Sequence, residues 1–189
     1  MPDMPKITSQ DILDFWFPDQ EPKRWWFMAT KEIDQEIIQR FEPLYKQAAC
    51  GALSDWEDTA NGALALVLVL DQFPRNMYRG TPAAFASDDL ALEVVRRALA
   101  RDFAKELPDL TRMFLYMPLM HSENLADQEI CVRLFEAGGF GEKSLESAYE
   151  HLEAIKKFGR FPHRNAILGR TSSPEEEAYL AAQGGMGGY

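Results

Sequence analysis

Cysteine is scarce: Cys50 and Cys131 are the two in 189 residues, too far apart for a Cys-x-x-Cys pair. A disulfide framework and a zinc knuckle are therefore excluded, and each cysteine reads as a small core hydrophobe. Basic residues are outnumbered, 20 against 30 acidic ones, for a net charge of −10. Such a surface repels a phosphate backbone and an anionic membrane face, so neither nucleic acid nor membrane is an expected partner. Long hydrophobic runs are missing as well. Ala63 to Leu70 and Met113 to Met120 span eight residues each, against about 20 for a membrane-crossing helix. The opening Met1-Pro2-Asp3-Met4-Pro5-Lys6 lacks the basic and apolar stretches of a signal peptide, which makes the cytoplasm the expected compartment. No segments alternate at period two, so a sheet has no support. There is no glycine-rich phosphate loop, nucleophile elbow or zinc motif, and neither a cofactor nor a reaction is legible.

Apolar material, by contrast, is ample. Hydrophobic residues make up 46% and aromatics 12%, enough for one sizeable core. The expected organisation is one all-α domain over 1–182, with the Gly-rich stretch 183–189 as a flexible tail. Thr8 and Ser9 cap a helix through Ile12, Leu13 and Trp16 that stops at Pro18, ahead of the aromatic knot Trp25-Trp26-Phe27. Thr30 opens a longer helix with Ile33, Ile37, Phe41, Leu44 and Ala48 on one face, and Pro43 should kink it. The run Ala60 to Gln72 reads as a buried helix, since Ala and Leu dominate it. Thr81-Pro82 is a cap, and Ser87 starts a helix with Leu90, Val94 and Ala98 inward. Another helix runs from Pro108 to Pro118. Ser122 caps the next, which has Ala126, Ile130 and Leu134 inward and a polar stripe of Asn124, Asp127, Gln128 and Cys131 outward. Ser144 begins a helix with Leu145, Ala148, Leu152 and Ile155 on its inner face, ending at Gly159. A short helix covers Pro162 to Leu168, and Ser173-Pro174-Glu175-Glu176 is a capping box.

Three polar clusters interrupt this pattern. Asp71, Gln72, Arg75 and Asn76 follow the first apolar run; His121, Ser122, Glu123 and Asp127 follow the second. Charged groups at the end of a buried helix lie near the core and must pair or pay desolvation. The third cluster runs from Lys156 to Arg170 and holds five basic residues and no acidic one. It includes Arg160, His163, Arg164 and Asn165, with His151 on the helix before it. Phe73-Pro74-Arg75-Asn76 and Phe161-Pro162-His163-Arg164-Asn165 echo each other. Each Phe-Pro step should stop or restart a helix and present Arg and Asn from the new first turn, where an anion can be received.

The stretches Leu70 to Asn76 with Arg79-Gly80-Thr81, Tyr116 to Glu123, and Phe158 to Asn165 with Leu168-Gly169-Arg170 resemble the bacterial family known as domain of unknown function DUF924. The resemblance covers nearly the whole chain before the tail. It implies antiparallel helix pairs of tetratricopeptide-like type, arranged as a right-handed superhelix or bundle, and it implies no activity. The regular tetratricopeptide period of about 34 residues is not visible in the sequence itself.

The leading functional expectation is a pocket between helices for a small anionic molecule or peptide. Arg75, Arg160 and Arg164 would hold the anion, with Asn76 and Asn165 beside them. Asp71, Glu123 and Asp127 would pair with the arginines or take protons. His121, His151 and His163, the three histidines of the chain, titrate near neutral pH and suit acid–base work. A metal held by His121, Glu123, Asp127 and His151 matches no ligand spacing, so no metal is expected. The competing expectation is a tetratricopeptide-like interaction module whose polar clusters are structural ion-pair networks. Neither reading fixes an oligomeric state.

Overall fold

The computed structural model describes residues 7–182 apart from 20, 27 and 29. The expected tail 183–189, and Phe27 of the aromatic knot, lie outside the described residues. Among the described residues, nine α-helices and several single turns follow one another and no strand occurs. Helix α1 (Ser9–Trp16) opens on a capping box between Thr8 and Asp11. Thr30 caps α2 (Lys31–Ala49), which carries Pro43 in its interior and buries Ile37, Phe41, Leu44, Tyr45 and Ala48. None of the described helices is long and apolar enough to cross a membrane.

The hub of the fold is α3 (Ala60–Val67), extended by a π-turn (Leu68–Gln72) into α4 (Phe73–Met77). The Phe-Pro step does not stop this helix. Pro74 has no N–H, so the Leu70 carbonyl loses its usual donor four residues on. The backbone widens by one residue, and Phe73 N–H donates to the Leu68 carbonyl instead. Side chains serve two carbonyls of this stretch. Ser87 Oγ donates to the Leu70 carbonyl at 2.6 Å, and Arg75 Nη1 donates to the Asp71 carbonyl, also at 2.6 Å. Every residue of the π-turn is buried.

Around this axis, α1, α5 (Asp88–Ala100) and α6 (Asp109–His121) pack on α3, and α2 packs on α4. Helix α6 leads to α7 (Leu125–Gly138), which lies against α8 (Glu142–Phe158). Trp16, Trp26, Phe17 and Phe114 meet edge to face or stacked with centroids 4.8–6.4 Å apart, geometry that adds to simple burial. After α8 the chain makes a single 3-10 turn (Pro162–Arg164) and ends in α9 (Pro174–Ala182). Ser173 and Glu176 form the expected capping box.

Several local expectations are corrected. Helix α6 passes through Pro118 to His121. Helix α8 starts at Glu142, before Ser144. Thr81 does not cap the following turn, because its hydroxyl donates to the Tyr78 carbonyl. Residues 162–168 form a 3-10 turn followed by irregular turns. Leu90 is exposed; Val94 and Ala98 face inward as expected, and Ala91 and Val95 join them.

The largest correction is α7, whose faces are exchanged. Its cap is Asn124, not Ser122. Asp127, Gln128 and Cys131 are buried, whereas Ala126 is exposed and Ile130 and Leu134 only partly covered. The end of α6 explains the exchange. Its last carbonyls lie in the core and need donors, and Gln128 Nε2 serves the carbonyls of Leu119, Met120 and Ser122 at 3.2, 2.7 and 2.7 Å.

Candidate functional site

The widened turn of the hub carries Asp71 into the core with no exposed surface. His121, the last residue of α6, reaches it from the other side: His121 Nδ1 lies 2.7 Å from Asp71 Oδ1. Gln72 Nε2 donates to Asp71 Oδ2 at 2.6 Å, and Arg75 Nη1 stands 3.2 Å from Oδ1. Burial alone would raise the Asp71 carboxyl. The Arg75 guanidinium and the contacts of His121 and Gln72 outweigh it and hold the group at about 2. Burial pushes His121 down to about 4, with Arg75 adding to the effect against the pull of Asp71. At neutral pH the pair is a carboxylate beside a neutral imidazole. A carboxylate only accepts, so Nδ1 carries the proton and Nε2 the lone pair.

Arg75 continues the network outward. Its two terminal nitrogens donate to the two oxygens of Asp88, the first residue of α5, at 2.8 and 2.9 Å. A second arginine shares that carboxylate: Arg164 Nη1 lies 3.5 Å from Asp88 Oδ2. The Arg164 guanidinium is held between two rings, 4.7 Å from the centroid of Phe85 and 4.7 Å from that of Phe161. Phe161 also takes the edge of His151 at 5.3 Å and stacks on His163 at 5.5 Å. The arginines of the two Phe-Pro segments that echo each other in the sequence thus converge on one aspartate.

Arg75, Arg164, Asp71 and His121 are buried, while Asp88, Phe85, His151 and His163 are partly exposed. One side of the cluster therefore meets solvent and the other lies in the core. Burial, then Arg164 and His151, push His163 down to about 4. Burial also lowers His151, against the support of the Ser147 carbonyl that accepts from its Nδ1 at 2.8 Å. All three imidazoles are neutral at pH 7, and Arg75 and Arg164 face Asp71 and Asp88 charge for charge.

The other expected site residues are held elsewhere, in clamps between elements. Glu123 accepts from Arg170 at 2.7 and 2.9 Å and from the Phe161 N–H at 2.7 Å. Asp127 accepts from Arg96 at 2.8 Å and from Ser122 at 2.7 Å. Arg160 donates to Glu176 of α9 at 2.7 and 2.8 Å, and Asn165 bridges Ser172 and Arg170. Asn76 donates to Asp34, which Arg79 also grips. With Glu123 and Asp127 so engaged, the weighed metal set is dispersed, and no three suitable ligands gather among the described residues. Sequence reasoning missed Asp88 and Phe85. An acid opening a helix reads as a dipole partner, and nothing local says that two arginines from distant segments will meet there.

Fold and cluster together define an all-helical protein organised around a buried Asp–His–Arg network. The family model described as "Bacterial protein of unknown function (DUF924)" matches residues 12–184, and the chain belongs to that family. The solved structure of a protein of unknown function from Agrobacterium tumefaciens is similar to it, with 38% identity and a TM-score of 0.86 over 92% of this chain and 97% of that one. No curated protein matches the sequence.

Proposed function

We propose that the chain binds a small anionic molecule at the partly exposed side of the cluster, where His163 and His151 flank the Phe161 ring and the buried Arg164 lies against that ring from within. The observation that carries this reading is the setting of Arg164. Its guanidinium lies between two rings at 4.7 Å, and it reaches Asp88 at 3.5 Å, where Arg75 holds the same group at 2.8 Å. A planar fork fixed by aromatic faces suits two-oxygen anions, and a desolvated setting strengthens the contact. The neutral imidazoles add hydrogen-bonding groups, and the Asp71–His121 pair supplies a rigid base behind them.

A second reading, a tetratricopeptide-like interaction module with a purely structural network, draws on the charge balance of the two arginines and two aspartates. The basic island from Lys156 to Arg170 holds an acidic segment of the chain itself: Arg160 engages Glu176 of α9. Thermal melts separate the readings. Wild type and Arg164→Lys are melted with mono- and dicarboxylates, inorganic phosphate and sulfate. A ligand at about 100 times its Kd adds ~2.7 kcal/mol, so wild type should gain several degrees with at least one anion. Arg164→Lys keeps the charge but loses the fork, and should lose that gain. If no anion moves the wild-type midpoint, the structural reading stands.

A further inference from the structure

The contact that ties Asp88 to both arginines says which anion belongs there. Arg75 is anchored several times over, to the Asp71 carbonyl at 2.6 Å, to Asp71 Oδ1 at 3.2 Å and to both oxygens of Asp88 at 2.8 and 2.9 Å. Arg164 meets Asp88 at one oxygen and at 3.5 Å. The Phe85 ring lies beside both arginines, with its centroid 5.7 Å from the Arg75 guanidinium carbon and 4.7 Å from that of Arg164. The carboxylate between the two guanidinium groups is a side chain with 19% of its surface exposed, whereas the arginines are almost wholly covered. Ser87, next to it, is pinned by its hydroxyl to the Leu70 carbonyl at 2.6 Å, so the start of α5 is fixed and adjustment is left to the Asp88 side chain.

We infer that Asp88 is an internal competitor for the ligand: its carboxylate holds at Arg164 the place that a carboxylate group of the bound molecule takes. This rests on the anion-binding reading above and sharpens it, from a small anion to a carboxylate-bearing one. On binding, the Asp88 side chain stays on Arg75 and gives up Arg164, whose fork then receives two oxygens of the ligand. Asp88 thereby sets both the affinity and the class of the ligand. Its negative charge repels every incoming anion, and the seat it leaves has the planar, two-oxygen shape of a carboxylate.

The sign of one substitution separates this role from an ordinary structural ion pair. Asp88→Asn keeps the shape and an oxygen for Arg75 but removes the repelling charge. Calorimetric titration with succinate should show binding to Asp88→Asn about tenfold or more tighter than to wild type, a change of ~1.4 kcal/mol. Inorganic phosphate should gain less. Equal or weaker succinate binding by the variant overturns the competitor role while leaving anion binding by the wild type in place. An equal or larger gain for phosphate overturns the carboxylate class. Failure of succinate and phosphate to bind either protein defeats this inference, and only the wider anion panel of the melts then decides the reading beneath it. Should Asp88→Asn not fold, the arginine Nε–H resonances of wild type decide instead. Succinate should move the Arg164 signal and leave that of Arg75 in place; the reverse, or no movement, overturns the proposal.

Discussion

At the scale of single residues, the Asp71–His121 pair is the most consequential contact, and half of it was legible. Both residues stand out in the sequence because each follows an apolar run, where a polar group must find a partner. Their pairing across 50 positions could not be read there. The pair also fixes a pH dependence. An imidazole that ordinarily titrates at 6.5 is held at about 4 in His121 and in His163. Between those values the unfolded chain binds more protons than the folded one. The contribution is therefore complete above pH 6.5 and is lost as pH falls toward 4, at up to ~1.4 kcal/mol per pH unit for each histidine. Urea denaturation between pH 8 and 5 should show the midpoint falling below pH 6.5, with a shallower fall in His121→Asn. A midpoint that stays flat across this range would show that the imidazoles are not held neutral by the fold.

At the scale of elements, the outcome turned on carbonyls that a helix could not serve by itself. The periodicity of the apolar residues placed most helices, yet it assigned α7 the wrong face. Gln128 and Asp127 are inward because α6 ends in the core and Arg96 reaches across from α5. A pattern within one helix does not register a need created by its neighbour. The same holds for the π-turn, where Pro74 was visible but the donor that replaces its N–H at the Leu70 carbonyl comes from Ser87. Ser87→Ala should cost about 1–3 kcal/mol, the usual penalty for a buried carbonyl left without its donor. Thr30→Ala, at an exposed cap, should cost about 1 kcal/mol. Chemical denaturation of both variants measures the difference. If Ser87→Ala is no more costly than Thr30→Ala, the hydroxyl does not sustain the turn.

At the scale of the whole molecule, the chain divides into a large apolar core and a lightly attached end. Ala154, Ile155 and Phe161 form a small apolar cluster of their own, with Tyr179 against it. Helix α9 buries Glu176 rather than an apolar side chain. Its hold on the rest is mainly polar: Arg160 on Glu176, together with the Tyr179 ring 5.0 Å from Phe158. Regions held this way open well below the global unfolding free energy. Glu176→Gln should therefore speed amide exchange across 174–182 by about tenfold or more and leave α3 and α6 protected as in wild type. Unchanged exchange in α9 would show that the Arg160–Glu176 pair is not what docks it; equal loss of protection in the hub would show that α9 is part of the main cooperative unit.

The sequence by itself determined the class of the fold, the sites of most helices and the polar clusters worth attention. Those properties follow from local chemistry: apolar spacing, caps, prolines, and charges set beside apolar runs. Only the tertiary structure decided which charges meet. It separated Asp71, Arg75, His121, His151, His163 and Arg164, which lie in one connected network, from Asn76, Glu123, Asp127, Arg160 and Asn165, which clamp elements together. It also introduced Asp88 and Phe85 at the centre. The physical reason is that a buried charge is satisfied by whichever opposite charge or ring the packing brings within a few ångströms, and that choice is made by the helices as bodies, across long sequence separations.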